Sequence, residues 1–247
     1  MVIDKEYNMI FKRKSFRKFN DSFKLSSGEL SDIDEKIKDL VSLVDNIDVK
    51  YRIVPREETT CKRGEYCLLI YSEEKENFLL NIGYMFGQLD LYLASKDIGV
   101  CWYGMGKTQE VEYENLKFVI MMAFGKGQAS EFRKDYKKCK RKETREIWTG
   151  DSGLEIIAEV VKYAPSACNT QPWRVVCEKN KLKIYRTTNI KSIMPKDKVP
   201  FYNSIDMGIF LYFLELSLLY NNISFKRFFC KEKEKSDLTP IAIYNLF

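Results

Sequence analysis

Three stretches of the 247-residue chain carry side chains that could do chemistry. Residues 12–18 place Lys12, Arg13, Lys14, Arg17 and Lys18 around Ser15 without an acid, and residues 131–145 place eight basic side chains against three acidic ones. The whole chain carries only +6, so the remainder is net negative. Two local anion sites describe this charge better than a uniformly basic surface for wrapping DNA, and a pair of solvated basic loops would satisfy the same pattern. The third stretch is Ala164-Pro165-Ser166-Ala167-Cys168-Asn169-Thr170-Gln171-Pro172-Trp173. Its two prolines restrict the backbone, while Ser166, Asn169 and Gln171 offer hydroxyl and amide groups that could hydrogen-bond a polar planar ring. A loop that only reverses the chain would use the same residue types.

Other chemistry is excluded by composition. The chain has no His, which removes His-based triads, His acid/base catalysis and most catalytic zinc sites. Seven Cys without a CxxC pair argue against a disulfide framework or zinc ribbon, so no metal is expected and the thiols are expected reduced in a cytoplasm. The longest apolar run, Met207 to Leu214, is bounded by Asp206 and Glu215 and falls well short of the ~20 residues that span a bilayer. The N-terminal residues lack the apolar core of a signal peptide, so no membrane contact is expected. With 45% apolar residues and only 12 Gly and 6 Pro, the chain can bury a sizeable core.

The elements that must position these stretches follow from periodicity. Leu30, Ile33, Ile37, Leu40, Val41 and Val44 predict a helix over 28–44 with one buried face. Tyr51–Val54 and Tyr66–Tyr71 read as strands. Ile82, Met85, Phe86, Leu89 and Leu93 predict a long helix from Phe78, ended by Gly99, and Phe118–Phe124 suits a fully buried strand. The second half repeats this order. Placing residue n over n + 125 sets Asn81-Ile82-Gly83 on Asp206-Met207-Gly208 and Leu89-Asp90-Leu91 on Leu214-Glu215-Leu216. Helix 153–163 and strands 173–177, 182–186 and 241–245 also find counterparts, so each half reads as helix, strand, strand, long helix, strand. The expectation is an α+β tandem duplication with lobes 1–146 and 147–247 sharing one core.

Beyond these patterns, Arg13-Lys14-Ser15-Phe16-Arg17-Lys18-Phe19 resembles the RRSxRxF opening of the FMN-dependent nitroreductases. Ala164–Trp173 resembles their APSxxNxQPW turn, and Gly99-Val100-Cys101-Trp102-Tyr103-Gly104-Met105 is similar to their GLGTCWIG segment. In typical members the first two motifs lie in the same copy of the fold, and the flavin sits at a homodimer interface. Here they fall one in each half. Residues 43–49 and 226–229, opposite the turn and the Cys101–Gly104 segment, keep neither motif. The resemblance therefore implies two fused nitroreductase-like lobes that mimic the family homodimer and bind one FMN per chain, and such a chain is expected to be monomeric.

The resemblance also implies roles. Arg13, Lys14, Ser15 and, more weakly, Arg17 would hold the FMN phosphate, joined by Arg141 of the second basic stretch. Pro165, Ser166 and Asn169 would contact the ring and ribityl chain, with Gln171 either joining them or capping the turn. Gly104 and the Met105 N–H would lie at the opposite edge of the ring. Trp173 is expected in the core, and Cys168 is expected to be a small buried hydrophobe. No protein side chain need be catalytic, because the flavin would take hydride at N5 from NAD(P)H and pass it to a nitroaromatic, quinone or similar small acceptor in ping-pong order. A flavin-storing or sensing protein and a basic nucleic-acid-binding module are the alternatives.

Overall fold

The computed structural model describes residues 2–150, 153–230 and 237–247. Two long helices, α3 (Phe78–Ser95) and α6 (Val199–Tyr220), run through its centre and are apolar nearly all round, as helices enclosed by other elements must be. Their numbering follows α1 (Val2–Lys12), α2 (Ser27–Lys38), α4 (Thr144–Ile147) and α5 (Glu155–Val161). One hydrophobic core takes residues from both helices and from both ends of the chain, including Ile10, Phe86, Phe124, Trp173, Phe213 and Tyr244. At about 1.5–3 kcal/mol for each fully buried large apolar side chain, this shared core is the dominant stabilising contribution.

Two five-stranded sheets enclose the helices. The first contains β1 (Val49–Pro55), β2 (Tyr66–Ser72), β3 (Ile98–Tyr103), β4 (Glu112–Tyr113) and β5 (Leu116–Lys126) in the order β1-β2-β5-β3, with β4 also pairing β5. The second contains β6 (Trp148–Thr149), β7 (Trp173–Glu178), β8 (Lys181–Thr187), β9 (Phe225–Phe229) and β10 (Leu238–Leu246) in the order β6-β7-β8-β10-β9. Without β4 and β6 the two orders are the same: first strand, second strand, last strand, strand after the long helix. All pairings are antiparallel except β6 with β7. The strands after the long helices, β3 and β9, add one element to each half of the pattern read from the sequence.

The two long helices cross at glycine. A Cβ on Gly83 would stand 2.0 Å from the carbonyl oxygen of Ile205, and a Cβ on Gly208 would stand 2.0 Å from that of Leu80. Each glycine thus meets the residue three before the other, and the backbones touch where no side chain fits.

Three local expectations change. The helix predicted over 28–44 stops at Lys38 because side chains of α3 take the next backbone groups. Gln88 accepts from the Val41 N–H at 3.1 Å and donates to its carbonyl at 2.7 Å, while Asn81 Oδ1 accepts from the N–H groups of Leu43 and Val44 at 2.8 and 3.1 Å. Gly99 does not end α3 but lies on β3, where the Phe16 ring fills the place of its missing Cβ, and Asp97 makes the left-handed turn instead (φ 57°). Helix α1 was not expected. It is fixed by Tyr7, Ile10 and Phe11 on one face, with Tyr7 stacked on Tyr220 at 3.7 Å.

Candidate functional site

The first basic stretch leaves α1 along β3. Arg13 closes the helix through its N–H to the Met9 carbonyl at 2.8 Å, and Phe16 donates to the Val100 carbonyl at 2.8 Å, beside a bridge between Ser15 and Val100. Arg13 is buried at 1% exposure, and its Nε is 3.3 Å from both carboxylate oxygens of Asp90. Trp102 of β3 donates its Nε1–H to the same carboxylate at 3.0 Å. Arg13 Nη2 has no acceptor. Lys14 is half-buried with its ammonium 4.9 Å from the Phe16 ring, and Ser15 and Arg17 are exposed.

The second basic stretch binds both α1 and the Ala164–Trp173 turn. The Arg133 N–H donates to the Lys12 carbonyl at 3.0 Å. Arg141 donates to Asn169 Oδ1 at 3.1 Å and to the Tyr163 carbonyl at 3.2 Å, and the Lys142 N–H donates to Gln171 Oε1 at 2.8 Å. Burial pushes the Arg133 guanidinium below its ordinary pKa, and the charge of Arg13 adds to this. Burial, followed by the charges of Arg13 and Arg133, holds Arg141 down to about 10. Arg133 Nη1 and Arg141 Nε are buried without an acceptor, like Arg13 Nη2. Three mutually repelling guanidinium groups thus each keep an unspent buried N–H, with Asp90 paired to one of them, and donors of this kind are chemically suited to an anion. Arg133 was missed in the sequence because nothing in its local context separates it from the seven other cations of that stretch.

The turn hangs from α6. The Ala167 N–H is 3.0 Å from both oxygens of Asp206, and Thr170 donates to Asn203 Oδ1 at 3.0 Å. Ser166 Oγ accepts from the Gln171 N–H at 3.0 Å. The Gln171 amide is spent on Lys142 and on the Asn169 carbonyl, so here it caps the turn. Cys168, Asn169 and Gln171 adopt φ of 50°, 56° and 50° on either side of a right-handed Thr170, conformations uncommon for residues other than Gly and Asn. That geometry turns Cys168 outward, so it is exposed rather than buried as the sequence suggested. Trp173 is fully buried and stacks on Phe210 at 5.0 Å. A cavity of about 550 Å³ opens beside the turn, walled by Arg141, Lys142, Asn169, Gln171, Arg174 and Lys191 among others.

Arg13, Arg141, Asn169 and Gln171 are thus joined through one cationic cluster, with Ser166 inside the turn. Gly104 meets α6 instead: its carbonyl accepts from the Tyr202 hydroxyl, and a Cβ would stand 2.6 Å from the Tyr202 ring. Met105 is 72% exposed. Among the described residues, no group of His, Cys, Asp and Glu is arranged to hold a metal ion, and no helix is long and apolar enough to cross a membrane.

The chain and its fold have relatives. The chain belongs to the family described as "Putative TM nitroreductase", which matches residues 5–218. The crystal structure of a "putative nitroreductase" from Thermotoga maritima shares the fold, with a TM-score of 0.63 at 18% identity over 97% of this chain and 93% of that one. A nitroreductase family protein from Clostridium novyi NT aligns over 53% of this chain and 88% of its own (18% identity, TM-score 0.41). A "Putative NADH Oxidase" from Clostridium acetobutylicum aligns over 56% and 96% (14% identity, TM-score 0.44). No protein of curated function matches the chain.

Proposed function

We propose that the protein is an FMN-dependent oxidoreductase of the nitroreductase type, built from tandem lobes 1–146 and 147–247 and binding one FMN per chain between them. The observation that carries this reading is the set of unspent buried N–H groups on Arg13, Arg133 and Arg141. A phosphate monoester is close to a dianion at neutral pH, and with Arg13 paired to Asp90, the charges of Arg133 and Arg141 would match it. Lys14 and Ser15 would add further donors, with Arg17 a weaker candidate. Arginines whose free N–H groups are buried suit a small anion better than a polynucleotide backbone, which is met by exposed cations.

The residues present fit the rest of the cofactor. Pro165, Ser166 and Asn169 lie on a turn whose left-handed residues stiffen it, and Asp206 fixes its height above α6. The matching strand orders and the glycine crossing support two lobes related by pseudo-twofold symmetry. Bound FMN would supply the hydride chemistry between NAD(P)H and a small-molecule acceptor such as a nitroaromatic or quinone. The protein's own part is to neutralise the phosphate, orient the ring and shield it from water, and it needs no His for that. Gly104 and Met105 would border the ring only if Tyr202 turns aside.

The test is a visible absorbance spectrum of the purified protein, with and without added FMN, repeated anaerobically with NADH and with NADPH. Uptake of one flavin per chain that bleaches with either nucleotide is expected. Two equivalent flavins per chain would sink the fused-lobe reading, bands that resist bleaching would point to storage or sensing, and failure to take up FMN would overturn the assignment.

A further inference from the structure

The cavity beside the Ala164–Trp173 turn carries more positive charge than one flavin phosphate can use. Its wall holds Lys140, Arg141, Lys142, Arg174 and Lys191 against a single acid, Glu146. These cations come from three separate places: the second basic stretch, the start of β7 and the loop after β8. Arg174 and Lys191 belong to no basic run, so the fold and not the local sequence brings them to one wall.

Arg174 is half-buried and held in place. Its Nη1 donates to the carbonyls of Gln171 and Trp173 at 3.0 and 2.6 Å, and among the described residues its Nε and Nη2 have no acceptor. Burial pushes this guanidinium below its ordinary pKa, only partly offset by the charge of Glu146. Glu146 itself lies 3.6 Å from the Lys142 ammonium. Among the described residues no carboxylate forms a salt bridge with Lys140, Arg174 or Lys191. With Arg133 and Arg141 matched to the flavin phosphate and Lys142 offset by Glu146, these three charges are left over.

We propose that this cavity binds a second phosphate monoester, the 2′-phosphate of the nicotinamide donor, so that the protein takes NADPH in preference to NADH. The inference rests on the flavin reading above. Asn169 lines the cavity and lies on the turn assigned to the ring and ribityl chain, so the cavity adjoins the place of the flavin. Its volume of about 550 Å³ is in the range of small-molecule sites. NADH and NADPH differ only in the 2′-phosphate, which carries close to two negative charges at neutral pH and is met by the free fork of Arg174 and the ammonium groups of Lys140 and Lys191. An uncharged nitroaromatic or quinone would gain nothing from such a wall.

The test uses the FMN-loaded protein in two measurements: anaerobic flavin reduction over a range of NADPH or NADH concentrations, and calorimetric titration with adenosine 2′-monophosphate or adenosine. NADPH should saturate the reduction at a concentration about 10-fold or more below that of NADH, and the monophosphate should bind where adenosine does not. The double variant Lys140→Ala/Lys191→Ala, with its flavin content confirmed, should lose about 3- to 10-fold of the NADPH preference and a similar factor in monophosphate affinity. Flavin reduced equally well by both nucleotides would overturn this inference and leave the flavin reading standing. If the monophosphate still bound in that case, the cavity would belong to a phosphorylated acceptor instead. A preference unchanged in the double variant would make these lysines solvated surface and also overturn it, whereas flavin that neither nucleotide reduces would overturn both readings.

Discussion

Asp90 and Glu215 stand at equivalent places on the two long helices, and each is bound by the side chain at the equivalent place on the following strand: Trp102 donates to Asp90, and Arg227 to Glu215. The two sites then diverge. Glu215 also accepts from the hydroxyls of Tyr84 and Tyr244, at 2.8 and 2.6 Å, while Arg227 reaches the Leu43 carbonyl at 3.0 Å. Arg227 thereby ties Glu215 of α6 to the backbone of Leu43. On the other side the cation is Arg13, and its buried Nη2 has no acceptor.

Replacing Arg227 with Met should therefore cost stability and leave flavin binding alone. Removing one partner of a buried ion pair strands the other, which costs about 3–5 kcal/mol. A urea titration should show that loss, while FMN titration of the folded variant should still give one site of unchanged affinity. A gain of a second flavin, or loss of the first, would contradict this division of roles.

Gly83→Ala and Gly208→Ala should each destabilise the chain by about 1–3 kcal/mol, since the added methyl would meet a backbone carbonyl that cannot rotate away. Gly28→Ala is the control. Its Cβ would meet only Ser26 Oγ at 4.0 Å, so the better helix former should be neutral or stabilising by up to about 1 kcal/mol. Equal melting temperatures for all three variants would contradict the close crossing.

Asp206→Asn tests how the turn is hung. Burial holds the Asp206 carboxyl well above the ordinary range, only partly offset by the Ala167 N–H. The folded state then keeps a proton that the unfolded chain has released, so the contribution of Asp206 is fully favourable below the unfolded pKa and declines as pH rises towards the folded one. Asn carries no such dependence and still accepts from Ala167, as Asn81 does from Leu43. The stability advantage of Asp206→Asn over the parent should therefore grow with pH from about 4 upward, by no more than about 1.4 kcal/mol per pH unit. A difference that shrinks with pH would refute this.

Arg133→Met should weaken FMN about 10- to 100-fold, the loss of one hydrogen bond to a charged group at about 1.5–3 kcal/mol, and leave riboflavin affinity unchanged. Its apoprotein should be no less stable than the parent, because Arg13 and Arg141 lose a repelling neighbour. Fluorescence titration with both flavins separates a phosphate ligand from a structural residue, which would weaken both equally.

The parts legible in the sequence were those whose signal is local or repeated. Helices α3 and α6 declare themselves through continuous apolar character and glycines at a fixed offset, and the turn through its two prolines. What escaped depended on distant partners. Nothing in residues 39–44 shows that Asn81 and Gln88 will claim their backbone, and nothing near Arg133 shows that α1 will bring it beside Arg13. Cys168 looked like core filling because residue type does not report a left-handed φ.

The common core also governs how the chain can be divided. Because α3 and α6 are each other's covering, a half made alone would expose a helix that is apolar on every side, and it would aggregate before it could function. A single backbone cut between β6 and α5 is different in kind, since the same buried surface that forbids separate halves would hold the two fragments together as one particle.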